Sequence, residues 1–131
     1  MGSVVLDASA FINASLFEQA ECFTVSEVVA EIKSAHARAV YSVAREAGQL
    51  RVTSPSGSSL LLVQKKALEV GSCKKLSNAD KAVIALALDL KAKIITDDWT
   101  VQNLAAHLGI KYEGVARGVI REKKTFRKKT G

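Results

Sequence analysis

Short apolar runs alternate with longer helical stripes along this chain. Val4-Val5-Leu6 is a β-branched run stopped by Asp7 and reads as a buried parallel strand. Residues 9–17 read as a short helix or turn. Thr24-Val25-Ser26-Glu27 fits a capping box, in which hydroxyl and carboxylate reciprocally close a first helical turn. Behind it Val25, Val28, Val29 and Ile32 recur at helical spacing, which sets Glu31 beside that helix's apolar stripe. A second helix is expected over 35–47, ended by Gly48, and a strand over 50–53. The Ser/Gly/Pro stretch 54–59 reads as a loop, followed by a helix over 59–70 that Gly71 ends and a polar connection over 72–75. Ser77-Asn78-Ala79-Asp80 looks like another helix start, leading into the apolar run 82–88. A strand over 93–96, a helix over 100–108 closed by Gly109 and a last strand over 110–112 complete the pattern.

Strands alternating with helices predict an α/β domain, a parallel sheet covered on both faces in three α/β/α layers. The pattern covers residues 1–116 as one domain, and 117–131 reads as a basic tail or linker. With 48% apolar and 24% charged residues, the composition is that of a globular domain and excludes a disordered chain. Aromatics are only 5%, so the core has to come from Val, Ile, Leu and Ala. No apolar run approaches the ~20 residues of a membrane helix, and the first residues lack the pattern of a signal peptide, so a cytoplasmic protein with no membrane partner is expected. Cys22 and Cys73 stand alone, without a C-x-x-C pair, and are expected as reduced thiols rather than a zinc site.

Charge changes the picture at one end. Arg117, Arg121, Lys123, Lys124, Arg127, Lys128 and Lys129 face only Glu122, so the last stretch holds the whole net charge of +6 and the body is neutral. Such a run is either a solvated end or a phosphate-binding arm, and composition does not choose between them.

The candidate chemistry is acidic. In an open parallel sheet, ligands bind outside the carboxyl ends of the strands. Asp7 follows the first strand, Asp97 and Asp98 follow the strand ending at Thr96, and Asp80 opens the helix before it. If those strands are neighbours, the carboxylates face one crevice, and Glu31 on a sheet-packed helix can complete the set. Several carboxylates in one crevice repel one another, by about 4 kcal/mol for a pair ~4 Å apart at an effective dielectric of 20. Such a set suits a hard divalent cation. Each acid also has a plainer reading: Asp80 as a cap, Glu31 as an exposed helix residue, Asp97-Asp98 as a turn and N-cap. An aspartyl-phosphatase reading of Asp7 fails because Ser9 stands where a second acid is needed, and His36 and His107 have no nucleophile signature beside them.

Val4-Val5-Leu6-Asp7-Ala8-Ser9-Ala10-Phe11 resembles the opening of a PIN-domain nuclease. The family's later acids also have counterparts: Glu31 in Val28-Val29-Ala30-Glu31-Ile32, Asp80 in Leu76-Ser77-Asn78-Ala79-Asp80, and Asp98 in Ile94-Ile95-Thr96-Asp97-Asp98. The resemblance covers roughly residues 4–113. It implies a flavodoxin-like three-layer domain that hydrolyses single-stranded RNA with Mg²⁺ or Mn²⁺. Asp7, Glu31, Asp80 and Asp98 would be the catalytic, metal-binding set, Asp97 an auxiliary acid counted among the metal-binding residues, and Thr96 and Ser9 positioning residues. Thr24-Val25-Ser26-Glu27-Val28-Val29-Ala30-Glu31-Ile32-Lys33-Ser34 and Thr96-Asp97-Asp98-Trp99-Thr100-Val101-Gln102-Asn103 are similar to the Nob-type endonucleases, which mature the 3′ end of small-subunit ribosomal RNA. That likeness implies a ribosomal RNA precursor, within a small-subunit precursor, as partner, with the basic residues of 117–131 on RNA. The basic exit 121–129 fits that group's lead into a zinc ribbon, although no zinc-binding cysteines lie in these residues. VapC-type toxin ribonucleases, which an antitoxin neutralises, are the second similar group. A non-catalytic RNA-binding PIN module is the third reading.

Overall fold

The computed structural model describes residues 2–115; the basic run 117–131 lies outside the described residues. Five parallel strands form the sheet: β1 (Ser3–Leu6), β2 (Glu21–Thr24), β3 (Leu50–Val52), β4 (Lys93–Ile95) and β5 (Tyr112–Glu113). Their order is β3-β2-β1-β4-β5. The chain thus builds outward from β1 in one direction, then returns to its other side, and the sheet reverses between β1 and β4. Val5 pairs with Phe23 on one flank and with Ile94 on the other. β1 is central, and Val5 and Leu6 are fully buried, as a parallel strand covered on both faces requires.

Among the described residues five helices cover the sheet: α1 (Ser26–Glu31), α2 (Ala35–Glu46), α3 (Gly57–Glu69), α4 (Asn78–Leu90) and α5 (Trp99–His107). The α2 helix packs on β3, α4 on β1 and β4, and α5 on β5, while α3 lies across α4. This wrapping explains the run from Ala82 to Ala87, where every residue is buried. One side of α4 meets the sheet and the others meet α1, α3 and α5.

The structure departs from the sequence reading near β2. Thr24 is not a helix cap. It ends β2, and its hydroxyl donates to the Leu6 carbonyl at 2.8 Å, while Val25 caps α1 without a side-chain bond. The capping box at 24–27 is therefore absent. A four-residue strand with only Cys22 and Phe23 as apolar positions carries too little periodicity to be read, and Thr24 suits a strand end as well as a cap. The stretch 9–17 is two 3₁₀ turns, Ala8–Ile12 and Ala14–Glu18, capped by the side chains of Asp7 and Asn13. The other capping box is present: Ser77 Oγ accepts from the Asp80 amide, and the Asp80 carboxylate accepts from the Ser77 amide. Cys22 and Cys73 are free thiols, and burial pushes the Cys22 thiol up to about 11, which leaves it protonated. Among the described residues no helix is long and apolar enough to cross a membrane.

Helix ends show one local mismatch. Gly48 follows α2 at φ +74, where glycine is at ease. The α4 helix ends instead on Lys91, at φ +55, its amide closing onto the Ala87 and Leu88 carbonyls. A left-handed non-glycine residue costs about 1–2 kcal/mol, against roughly 0.5–1 kcal/mol for the extra freedom glycine loses on folding. Lys91→Gly is expected to raise unfolding free energy by about 0.5–1 kcal/mol, read as a higher urea midpoint at unchanged slope.

Candidate active site

The sheet reversal brings together two strand ends that carry acids. Leu6 pairs with Ile95, so Asp7 and Thr96 leave the sheet at the same level. The Asp7 amide continues the ladder by donating to the Ile95 carbonyl at 3.2 Å. Asp7 is 8% exposed and Thr96 is completely buried. The Thr96 hydroxyl donates to Asp7 Oδ2 at 2.5 Å and accepts from the Asp98 amide at 3.0 Å. Asp7 Oδ1 accepts from the Ala8 amide at 2.6 Å. One buried hydroxyl thus holds the Asp7 carboxylate and the backbone of Asp98 together.

Asp98 is the N-cap of α5, with Oδ1 accepting from the Thr100 amide at 2.8 Å. Asp80 is held by the Ser77 capping box on α4. Glu31 is the last residue of α1, exposed at its side chain, and α1 packs against α4. Three of these carboxylates, Asp7, Asp80 and Glu31, are raised. Burial raises Asp7 above the ordinary carboxyl range and outweighs its hydrogen bonds from Thr96 and Ala8, which lower it; the charges of Asp80 and Asp98 raise it further. Asp80 is raised by burial and then by Asp98, against the Ser77 amide. Glu31 is raised by desolvation and by Asp80 and Asp7, with Lys33 pulling the other way.

Asp97 stands apart from this set. Its Oδ1 accepts from the Val115 amide at 2.8 Å, which ties the end of β4 to the chain leaving β5, and its own amide donates to Ser9 Oγ at 3.3 Å. Ser9 therefore steadies the backbone ahead of Asp98. Two further residues, not marked in the sequence reading, position the edge. Thr24 Oγ1 binds the Leu6 carbonyl on the β2 side, and Gln102 Nε2 donates to the Thr96 carbonyl at 2.9 Å. Phe23-Thr24 repeats the apolar-then-threonine ending of Ile95-Thr96, a signal available in the sequence; Gln102 carries none on its own. The basic residues of 117–131 expected on RNA lie outside the described residues.

The donor chemistry fits a hard divalent cation: four oxygen ligand groups with surplus negative charge, each carboxylate keeping lone pairs beyond its protein bonds. As placed, no three acidic, His or Cys side chains among the described residues are close enough to ligate one ion. The acids are coupled through space rather than drawn into a shell. None of them lines the cavity of about 660 Å³ that opens near Ser3, Lys91, Lys93 and Lys111. The acidic crevice is at the strand ends and not in that cavity.

In open parallel α/β sheets ligands bind at the carboxyl edge beside the reversal, and here that edge carries Asp7 and Asp98. The chain belongs to the PIN domain ribonucleases: residues 4–90 match the family model described as the PIN domain of ribonuclease. It is 38% identical over 116 residues to an endoribonuclease Nob1 of Pyrococcus abyssi, covering 88% of this chain and 70% of that protein. It is 36% identical over 107 residues to the ribonuclease VapC1 of Thermoplasma acidophilum, covering 81% of this chain and 54% of that one. The crystal structure of PAE2754 from Pyrobaculum aerophilum superposes with a TM-score of 0.58, covering 92% of this chain and 97% of that chain. At 16% identity that likeness speaks for the fold alone.

The raised carboxyls set a pH signature. A native carboxyl with a raised pKa binds its proton more tightly than the unfolded chain does. The cost of the charged cluster therefore appears as pH rises from the ordinary carboxyl range, about 4, and is complete above the raised value. Asp7→Asn keeps the Ala8 bond and can donate to Thr96 Oγ1. Without divalent ions it is expected to melt above the wild type at neutral pH, with the gap closing below about pH 4. Thermal denaturation across that range checks it; a gap independent of pH would show that Asp7 carries no such cost.

Proposed function

We propose that the chain is a divalent-cation-dependent endoribonuclease that hydrolyses single-stranded RNA in the 3′-end maturation of a small-subunit ribosomal RNA precursor. The observation that carries this reading is the Asp7–Thr96–Asp98 linkage at the sheet reversal, with Asp80 and Glu31 coupled to it electrostatically. The matches to Nob1 endoribonucleases support the substrate, and a cytoplasmic location accords with the free Cys22 and Cys73 thiols.

Asp7, Glu31, Asp80 and Asp98 would hold Mg²⁺ or Mn²⁺. The chemistry such an ion supplies when bound is polarisation of the phosphodiester and a water acidic enough to attack near neutral pH. The chain's own groups orient the acids. Thr96 holds the Asp7 carboxylate, the Ser77 amide holds that of Asp80, and the Thr100 amide holds that of Asp98. Asp97 and Ser9 act from outside this set, as supports of the β4–α5 turn.

Cleavage of a short single-stranded RNA in Mn²⁺ by wild type, Asp7→Asn, Asp98→Asn and Thr96→Val checks the reading. Thr96→Val is expected to lose about 10–100-fold in rate, as removal of an outer partner does, and the two aspartate variants more than that. Equal rates in all four would place the activity elsewhere. A precursor spanning the 3′ end of small-subunit ribosomal RNA is expected to be cut at one junction. The VapC likeness, 36% identity to the Thermoplasma acidophilum ribonuclease, supports a second reading as a toxin. That reading expects growth arrest on expression, relieved by a partner protein, and no preference for that junction.

The basic residues Arg117, Arg121, Lys123, Lys124, Arg127, Lys128 and Lys129 are proposed to bind RNA phosphates. Removing residues 117–131 is then expected to flatten the log–log dependence of RNA affinity on salt by about 0.7 for each phosphate they neutralise. An unchanged slope would assign the run to solvent.

A further inference from the structure

The chain's one tryptophan sits beside the acidic set and is left open to solvent. Trp99 is the first residue of α5, immediately after Asp98, and is 67% exposed. The phenylalanines at 11, 17 and 23 are all buried, so the aromatic economy of this core makes the exposed indole stand out. Its exposure does not come from a loose backbone. The Asp98 amide is bound to Thr96 Oγ1, the Thr100 amide to Asp98 Oδ1, the Asp97 amide to Ser9 Oγ, and Gln102 reaches back to the Thr96 carbonyl. The core face of α5 is filled by Val101, Leu104 and Ala105, all fully buried, and leaves the indole outside. A pinned backbone carrying a bare aromatic face is a preorganised stacking surface.

Charge says what it would stack. Residues 2–115 hold equal numbers of Lys/Arg and Asp/Glu, so the described body has no net attraction for a polyanion. At the strand ends the local excess is negative, from Asp7, Glu31, Asp80 and Asp98. A single strand held there needs a contact that does not depend on phosphate charge, and the face of a base provides one.

We propose that Trp99 is the platform on which one base of the single-stranded RNA stacks, setting the adjoining phosphodiester at the acidic crevice. This rests on the ribonuclease reading for the substrate, but the stacking itself can be observed without cleavage. Because Trp99 is the sole tryptophan, fluorescence excited beyond the tyrosine absorption band reports on it alone. The probes are a 2′-O-methyl hexanucleotide and an abasic oligomer of the same length, each titrated into wild type and Asp7→Asn. Quenching by the base-bearing oligomer in both proteins, with little quenching by the abasic one, is expected. In cleavage assays Trp99→Ala is expected to raise KM about 10–100-fold with kcat nearly unchanged, and Trp99→Phe to recover most of the loss. Melting of Trp99→Ala at the wild-type temperature checks that the fold is kept.

Equal quenching by both oligomers, or a wild-type KM for Trp99→Ala, would overturn the proposal. The two readings fail separately. Base-dependent quenching without any cleavage would refute the ribonuclease reading and keep the stacking, whereas cleavage without base-dependent quenching would do the reverse.

Discussion

A buried hydroxyl joins the two strand ends on which the rest of the site is arranged. Thr96 has no exposure to solvent, donates to the Asp7 carboxylate and accepts from the Asp98 amide. Hydrogen bonds to a charged group contribute about 1.5–3 kcal/mol, which is what makes a nearly buried carboxylate tolerable at this position. The contact is possible only because β1 and β4 pair in parallel with Leu6 opposite Ile95. A slip of one residue in that register would turn Asp7 and Thr96 to opposite faces of the sheet. The burial of Val5, Leu6, Ile94 and Ile95 forbids such a slip, so the core's packing sets the geometry of the acids.

The remaining carboxylates arrive through helix ends. Asp80 and Asp98 each sit at a helix N-terminus, where free amides and the helix dipole favour negative charge. A capping role and a site role are therefore not rivals. The Ser77 and Thr100 amides that satisfy the caps also orient the carboxylates and offset part of the repulsion within the set. Because α4 packs on both β1 and β4, the cap at its start is carried to the same edge as Asp7. Glu31 is the loosest member, at the end of a six-residue helix anchored by Val28. Its carboxyl is raised by Asp80 and Asp7 even though its side chain is exposed.

How much of this could be read in the chain depended on how much periodicity each element carries. The α2, α3, α4 and α5 helices, and strands β1, β3 and β4, announce themselves through caps, glycine stops and β-branched runs. The β2 strand has two apolar residues and a threonine, and its tertiary partner, the Leu6 carbonyl, is invisible in sequence. Asp7 was legible as a candidate because it follows an apolar strand, whereas Asp98 was only suggested by its place after Thr96 and was singled out over Asp97 by the family resemblance. The bridging by Thr96 was not, since it depends on which strands are neighbours. Asp97 shows the same limit from the other side: adjacent acids look alike in sequence, yet one turns to the Val115 amide while the other caps α5.

Charge distribution links the site to the way a nucleic acid would be held. The described body is neutral overall and acidic at the strand ends, so its own long-range field does not draw in a polyanion. On the proposed reading, attraction over distance would come from the cationic residues beyond 116, through contacts that weaken steeply with salt. At the crevice the balance shifts to short-range forces, because coupled carboxylates repel phosphates until a cation compensates them. An exposed indole on a pinned backbone can hold a nucleotide there without regard to its charge. On the proposed reading, capture and placement would fall to different parts of the chain: the basic run would govern how the strand arrives, and Trp99 which bond comes to rest beside Asp7 and Asp98.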